Sequence, residues 1–98
     1  MIEDIKLIGI EDELIEELLE KLGYDKVLSM ACNYKKIREN INIFKAINVA
    51  DINELLINKN DIFFKEPEEI IKKLSSINIA NFVNLINEDY ELIDEFFN

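Results

Sequence analysis

A chain of 98 residues of which 49% are hydrophobic can bury one core, so we expect a single domain over residues 1–98. Two glycines and one proline provide few turns, which favours helices over a sheet. A net charge of −10 without any histidine disfavours a nucleic-acid partner and removes the commonest general base and metal ligand.

Features that would export or anchor the protein are missing from the sequence. Cys32 is the single cysteine, which excludes an intramolecular disulfide and suits a reducing compartment. No apolar run approaches the roughly 18 residues of a membrane span, and MIEDIKLIG at the N-terminus has acids where a signal peptide has bases. We therefore expect a cytoplasmic protein without a membrane partner, and the many Ile and Asn residues are typical of a low-GC genome.

Apolar residues recur with helical spacing along the whole chain. A short apolar stripe predicts a first helix that ends at Gly9, and an amphipathic helix follows from Glu11 or Asp12 to Gly23. Further helices are predicted over residues 24–32, 34–47, 50–58, 60–65, 67–77, 80–87 and 89–97. Residues predicted to start helices are Asp25 and Asn33 as caps and Pro67 as a first helical residue.

The chain also contains an internal repeat. The decapeptide INVADINELL, residues 47–56, returns thirty residues later as INIANFVNLI, residues 77–86. Helical units of this size cannot bury their apolar faces alone and must stack on one another. We therefore expect an all-α, solenoid-like bundle of about two and a half helix pairs. Its units are predicted over residues 1–32, 33–66 and 67–98.

The repeat predicts which side chains form the core. In the long helices before each decapeptide, Ile41 and Phe44 match Ile71 and Leu74 at the same offset. Matched apolar positions should face one shared interior, so we expect all four side chains to be buried together.

The segment NINIFKAINVADINELL followed by FFKEP has Asn48-Val49 at a corner between helices, and Pro67 opens the next unit. On these features, residues 33–97 resemble the repeat of the mitochondrial transcription termination factor family. The resemblance implies a helical-repeat fold, and in that family a basic concave face binds nucleic acid.

A second likeness covers residues 15–44, where Leu22-Gly23-Tyr24 follows a helix. This segment resembles the ubiquitin-associated domain, which has a Met-Gly-Phe loop at the corresponding place. The resemblance implies a three-helix unit in the first half of the chain.

Groups able to carry catalysis are scarce. No Ser or Cys has a base partner that the sequence identifies, and Cys32 lies in the apolar context SMAC, where we expect a small buried side chain. There is no glycine-rich phosphate loop and no spacing typical of a calcium loop. We expect a protein that is not an enzyme and that needs no cofactor or metal.

Two charged stripes supply the candidate binding residues. The acidic stripe consists of Glu13, Glu16, Glu17 and Glu20. The basic stripe consists of Lys35, Arg38 and Lys45, with Lys36 beside them. Like charges one helical turn apart cost a few tenths of a kcal/mol, which favours a functional role for the acidic stripe, whereas bases at this spacing could follow a phosphate backbone. Each stripe is also explained as a solvated helix face.

Phe96 is the remaining candidate contact. Tyr90, Ile93 and Phe97 are spaced to pack on the preceding unit, and Phe96 lies about 100° round the helix from Phe97, among acids that no base offsets. We predict either an apolar anchor for a partner or a side chain that folds back over the last helix.

These patterns favour a non-enzymatic interaction module, an adaptor or a small inhibitor. It would bind a basic protein partner through acidic faces at residues 11–20 and 88–95. One alternative is a nucleic-acid-binding repeat that uses the basic stripe. Another is an inhibitor of a nucleic-acid-binding enzyme that mimics nucleic-acid charge, as phage and immunity proteins do. The sequence leaves the partner's identity and the oligomeric state open.

Overall fold

The computed structural model describes residues 1–97 and contains helices and no strand in that range, which confirms the predicted all-α class. The α-helices are α1 (Asp12–Leu22), α2 (Tyr24–Cys32), α3 (Tyr34–Ala46), α4 (Ile52–Asn58), α5 (Pro67–Ser75) and α6 (Ile79–Glu88). An N-terminal, a central and a C-terminal 3-10 helix span Ile2–Ile8, Asn60–Phe64 and Tyr90–Glu95. None of these helices is both long and apolar enough to cross a membrane.

Glycine and proline end and begin helices at the predicted places. The N-terminal 3-10 helix ends at Gly9, whose φ of 88° is left-handed. Helix α1 ends at Gly23, whose φ of 87° is also disfavoured for residues that carry a Cβ. Pro67 is the first residue of α5, where its missing N–H removes no helical hydrogen bond.

Of the two predicted caps, Asp25 is wrong, and Asn33 occupies the cap position without a side-chain cap hydrogen bond. Helix α2 begins directly after Gly23, so Asp25 is its second residue and not its cap. Asn33 does precede α3, but its side chain makes no cap hydrogen bond. Its Nδ2 instead donates to the carbonyl of Ser29 at 2.8 Å. Because one residue separates α2 from α3, this amide serves the end of the first helix rather than the start of the second.

The core is centred on Phe44 of α3, whose side chain is fully buried. Three rings lie against it, with centroid distances of 5.8 Å to Phe63, 6.5 Å to Phe82 and 6.1 Å to Phe97. Ile41 and Leu74 are buried in the same cluster, as predicted. Every helix within residues 1–97 contributes at least one buried side chain to this cluster.

The prediction for Ile71 is wrong, because its side chain is 52% exposed. Helix α5 turns Ile70 and Leu74 inward instead, which leaves Ile71 about 100° round the helix from Ile70. Whereas α3 is surrounded by several helices, α5 packs mainly on α3. A helix at the edge of the bundle buries a narrower face, and Ile71 falls outside it.

In the first copy of the repeat, the chain leaves α3 and changes direction at Asn48. This residue has φ of 70°, a left-handed conformation that asparagine tolerates better than most residues. Its N–H donates to the carbonyl of Lys45, and the N–H of Val49 donates to the carbonyl of Phe44, both at 3.0 Å. This pair of bonds forms a Schellman motif, which ends α3 and leaves Val49 buried.

The second copy leaves its long helix in another way. Asn78 caps α6, and its side chain accepts a hydrogen bond from the N–H of Asn81 at 3.0 Å. Ile79 therefore begins a helix, although its counterpart Val49 lies in a corner. Ile79 is 40% exposed and Val49 is 5% exposed. The copies share a sequence pattern but not a backbone conformation, and the predicted solenoid-like stacking is not confirmed.

Asn87 of α6 ties that helix to the corner of the first copy. Its Oδ1 accepts a hydrogen bond from the N–H of Ala50 at 2.9 Å, and its Nδ2 donates to the carbonyl of Asn48 at 3.1 Å. The corner lies outside any helix, so its polar backbone groups need partners of this kind.

Asn40 of α3 is the fully buried polar residue of the described chain. Its Nδ2 donates to the carbonyls of Phe63 at 2.9 Å and Lys65 at 2.8 Å. Carbonyls at the end of a helix have no partner within that helix. The amide of Asn40 therefore holds the segment between the central 3-10 helix and α5 against α3.

Replacing Phe44 and Ile71 by alanine compares a residue that the structure buries with one that it exposes. We expect Phe44→Ala to lower the free energy of unfolding by about 3–5 kcal/mol, because it opens a cavity in the core. Ile71→Ala should change it by no more than about 0.5 kcal/mol. Urea unfolding followed by circular dichroism measures both, and equal losses would contradict the exposure of Ile71.

Asn40→Leu keeps a side chain of similar size and removes the two hydrogen bonds to the carbonyls of Phe63 and Lys65. We expect a loss of about 1–3 kcal/mol in the free energy of unfolding, since these carbonyls lose their partner. Asn42→Leu is the matched control, because Asn42 is exposed on the same helix. If both variants unfold at the same urea concentration, the amide does not stabilise the fold.

Candidate functional site

Three carboxylates of α1 face solvent together. Leu14 and Leu18 are buried on the inner side of the helix, and Glu13, Glu16 and Glu20 are exposed on the outer side. No base within residues 1–97 forms an ion pair with any of these three carboxylates. Glu13, Glu16 and Glu20 therefore form a surface without paired bases, the acidic face.

Glu17, the fourth acid of the predicted stripe, is set apart from the acidic face. Its carboxylate lies 2.9 Å from Nζ of Lys21. This hydrogen bond raises the pKa of Lys21, with a smaller contribution in the same direction from Glu54 of α4. The ion pair neutralises Glu17 in part, so the structure brings together three of the four predicted acids.

The basic stripe does not form one surface. Lys36 points toward α5 and lies 2.9 Å from the carboxylate of Glu66. Arg38 points toward the N-terminal 3-10 helix, where its Nη1 donates to the carbonyl of Leu7 at 3.3 Å. Its guanidinium also lies over the ring of Tyr34, 5.7 Å from the centroid. These two bases are engaged within the protein and on different sides of α3.

The other two bases of the stripe are exposed but separate. Lys45 lines a cleft together with Glu11. Lys35 lines a shallow depression with Cys32 at the junction of α2 and α3. The four predicted phosphate contacts therefore face several directions. Of these four, only Lys35 and Lys45 are exposed with neither an ion pair nor a side-chain hydrogen bond in residues 1–97.

Cys32 is exposed, so its predicted burial is wrong. The inward positions of α2 are Val27, Met30 and Ala31. Cys32 is the last residue of that helix and lies about 100° round from Ala31, which places it outside the buried stripe.

Phe96 folds back onto the core. Its ring meets the ring of Phe82 edge-on, 5.0 Å between centroids, and the side chain is half-buried. The side chains around it are not purely acidic as predicted, because Lys65, Lys72 and Lys73 line the adjoining crevice. The predicted packing of its neighbours Tyr90, Ile93 and Phe97 is confirmed. A role for Phe96 as a partner's anchor stays a prediction.

A crevice of about 790 Å³ collects lysines that are far apart in sequence. Three of its four lysines are paired, with Nζ–carboxylate distances of 2.9 Å for Lys21–Glu17, 3.6 Å for Lys26–Asp61 and 2.6 Å for Lys59–Asp94. The hydrogen bond that Lys59 Nζ donates to the carboxylate of Asp94 raises the pKa of Lys59. Sequence spacing could not reveal this crevice, and its bases are largely compensated by the protein's own acids.

An apolar groove of about 480 Å³ lies between α3 and α5. Its apolar lining consists of Ile43, Ala46, Pro67 and Ile71. Its polar lining consists of Glu39, Asn42 and Glu68. The sequence prediction missed this α3–α5 groove because it assigned Ile71 to the core. The available signal was that Ile43 falls outside the apolar stripe of α3.

Within residues 1–97, no three His, Cys, Asp or Glu side chains are grouped so that they would hold a metal ion. The candidate sites are therefore surfaces: an acidic face, dispersed bases, a crevice whose lysines are mostly paired, and an apolar groove with acidic sides.

The resemblances of residues 33–97 and 15–44 to known families stay predictions. No protein-family model matches the chain, and no curated protein or solved structure is significantly similar to it.

Proposed function

We propose that this protein is a non-enzymatic interaction module, an adaptor or a small inhibitor, whose acidic face binds a basic surface of a partner protein. The observation that supports this function is the exposure of Glu13, Glu16 and Glu20 without a paired base in residues 1–97. Leu14 and Leu18 fix the orientation of α1 from below, so the carboxylates are presented on a rigid element.

Electrostatics explains why such a face suits binding more than stability. Glu16 and Glu20 are one helical turn apart, and like charges at that spacing destabilise a helix by roughly 0.2–0.5 kcal/mol. Elsewhere on α1 the protein relieves such repulsion, since Glu17 pairs with Lys21. Charges that cost stability in the free protein gain an attraction when a basic partner approaches, and they accelerate association.

An inhibitor of a nucleic-acid-binding enzyme is a special case of this proposal. Such an enzyme carries a basic surface that contacts phosphates, and the acidic face offers carboxylates in their place. Direct binding of nucleic acid has weaker support, because Lys36 and Arg38 are engaged with Glu66 and the carbonyl of Leu7.

Reversal of the acidic face tests the proposed function. The immobilised protein captures its partner from a nuclease-treated lysate of its source cells, and the purified partner is then titrated by calorimetry. Glu13→Lys/Glu16→Lys/Glu20→Lys should raise Kd by about tenfold or more, mainly by slowing association. The difference in Kd between this variant and the wild type should become smaller as the salt concentration is raised, since exposed charges are screened.

The matched control makes the same charge change at three exposed acids outside both predicted acidic faces, in Glu3→Lys/Asp25→Lys/Glu69→Lys. It should keep most of the affinity. If both variants lose affinity equally, net charge and not the acidic face governs binding. If neither does, the acidic face does not contact the partner.

A second test concerns nucleic acid. We expect no saturable binding to duplex or single-stranded DNA or RNA at about 150 mM salt, because the bases are dispersed and the net charge repels phosphates. Fluorescence anisotropy with labelled oligonucleotides measures this. Saturable binding that Lys35→Glu/Arg38→Glu abolishes, and that the control Lys72→Glu/Lys73→Glu leaves intact, would establish the nucleic-acid alternative instead.

A further inference from the structure

We infer that the α3–α5 groove is a docking site for a short amphipathic helix of the partner, with two apolar anchors flanked by Lys or Arg. This inference rests on the proposed function and specifies the chemistry of the partner. It adds a second contact, because an acidic face alone steers a partner but buries little apolar surface.

The apolar lining of the groove comes from both helices, α3 and α5. Ile71 is 52% exposed and lines the groove together with Ile43, Ala46 and Pro67. Single exposed apolar residues are ordinary, whereas several that share one concave surface mark a contact site. The neighbouring Ile70 is fully buried, so α5 cannot turn Ile71 inward without exposing Ile70.

The charges beside the groove select a cationic occupant. Glu39 of α3 and Glu68 of α5 both line the groove, one from each helix, and both side chains are exposed. Neither carboxylate forms an ion pair within residues 1–97, and no base is among the groove's lining residues. The nearby Lys36 and Glu66 form an ion pair and neutralise each other's charge. A helix with Lys or Arg beside its apolar anchors would therefore pair charges on both sides.

The length of the groove fits about two helical turns. Its lining on α3 runs from Glu39 to Ala46, a rise of roughly 10 Å at 1.5 Å per residue. On α5 it runs from Pro67 to Ile71. Two apolar side chains spaced three or four residues apart on a partner helix lie on one face and match this length.

A second copy of this chain is a poorer occupant. In a symmetric dimer the same patch meets itself, so Glu39 and Glu68 of each copy would face one another. Each chain also carries a net charge of −10. Like charges placed across an interface oppose association, which leaves the cationic helix as the occupant that the lining selects.

The test uses the full chain and two synthetic peptides of about 14 residues made of leucine and lysine. One orders its leucines along a single helical face, and the other has the same composition with scattered leucines. Fluorescence anisotropy gives the affinities, and backbone amide shifts in the NMR spectrum locate the contact. The ordered peptide should bind at least about tenfold more tightly than the scattered one and should shift amides of α3 and α5.

Variants separate apolar docking from general charge attraction. Ile71→Ser should lower the affinity for the ordered peptide by about tenfold. Ile79→Ser, which changes an exposed isoleucine of α6, should leave that affinity unchanged. Glu39→Lys/Glu68→Lys should also weaken it by about tenfold. Equal binding of the two peptides, or full affinity of Ile71→Ser, would overturn the inference. A wild-type dimer in analytical ultracentrifugation that Ile71→Ser dissociates would overturn it too, by assigning the groove to a second copy.

The acidic-face variant distinguishes failure of this inference from failure of the proposed function. Glu13→Lys/Glu16→Lys/Glu20→Lys should retain the amide shifts of α3 and α5 with the ordered peptide. If Ile71→Ser has no effect and the shifts fall on α1, the groove is not the site, while the acidic face remains a binding surface.

Discussion

Asn40 lies in the middle of α3 with its amide bonded to the carbonyls of Phe63 and Lys65. Burying an N–H group is unfavourable unless it is hydrogen-bonded, so the Nδ2 of Asn40 is satisfied only while the central 3-10 helix ends beside it. On the same helix, Phe44 meets the ring of Phe63. One polar and one aromatic contact therefore set the path by which the chain reaches Pro67. The position of α5, and with it the groove, depends on that path.

The paired and unpaired charges lie on different surfaces of the molecule. Lys26, Lys36 and Lys59 have acidic partners within the protein, while the acids of the acidic face and the groove have none in residues 1–97. Since acids outnumber bases by 21 to 11, pairing leaves a surplus of carboxylates on the surface. Both proposed contacts draw on that surplus, and both favour a cationic partner for the same electrostatic reason.

The two copies of the repeat have similar sequences but different backbone conformations. Asn48 takes a left-handed conformation that ends α3, whereas Asn78 caps the following helix with its side chain. Asparagine is suited to either role, because its short amide can cap a helix and its backbone tolerates positive φ. The first corner is held by Asn87. The choice between the two roles therefore depends on contacts made by other helices, and a regular solenoid does not follow from the repeat.

The sequence by itself determined the helical class, the helix ends at Gly9 and Gly23, and the start of α5 at Pro67. These features depend on backbone sterics and periodicity within a few residues, which the sequence expresses directly. Periodicity also predicted an acidic stripe of Glu13, Glu16, Glu17 and Glu20, from which the structure separates Glu17 through its ion pair with Lys21. Only the tertiary structure decided the exposure of Ile71 and Cys32, the engagement of Lys36 and Arg38 and the presence of the groove. Burial depends on how many helices surround a given helix, and because α5 packs mainly on α3, an isoleucine that periodicity assigned to the core lies at the surface.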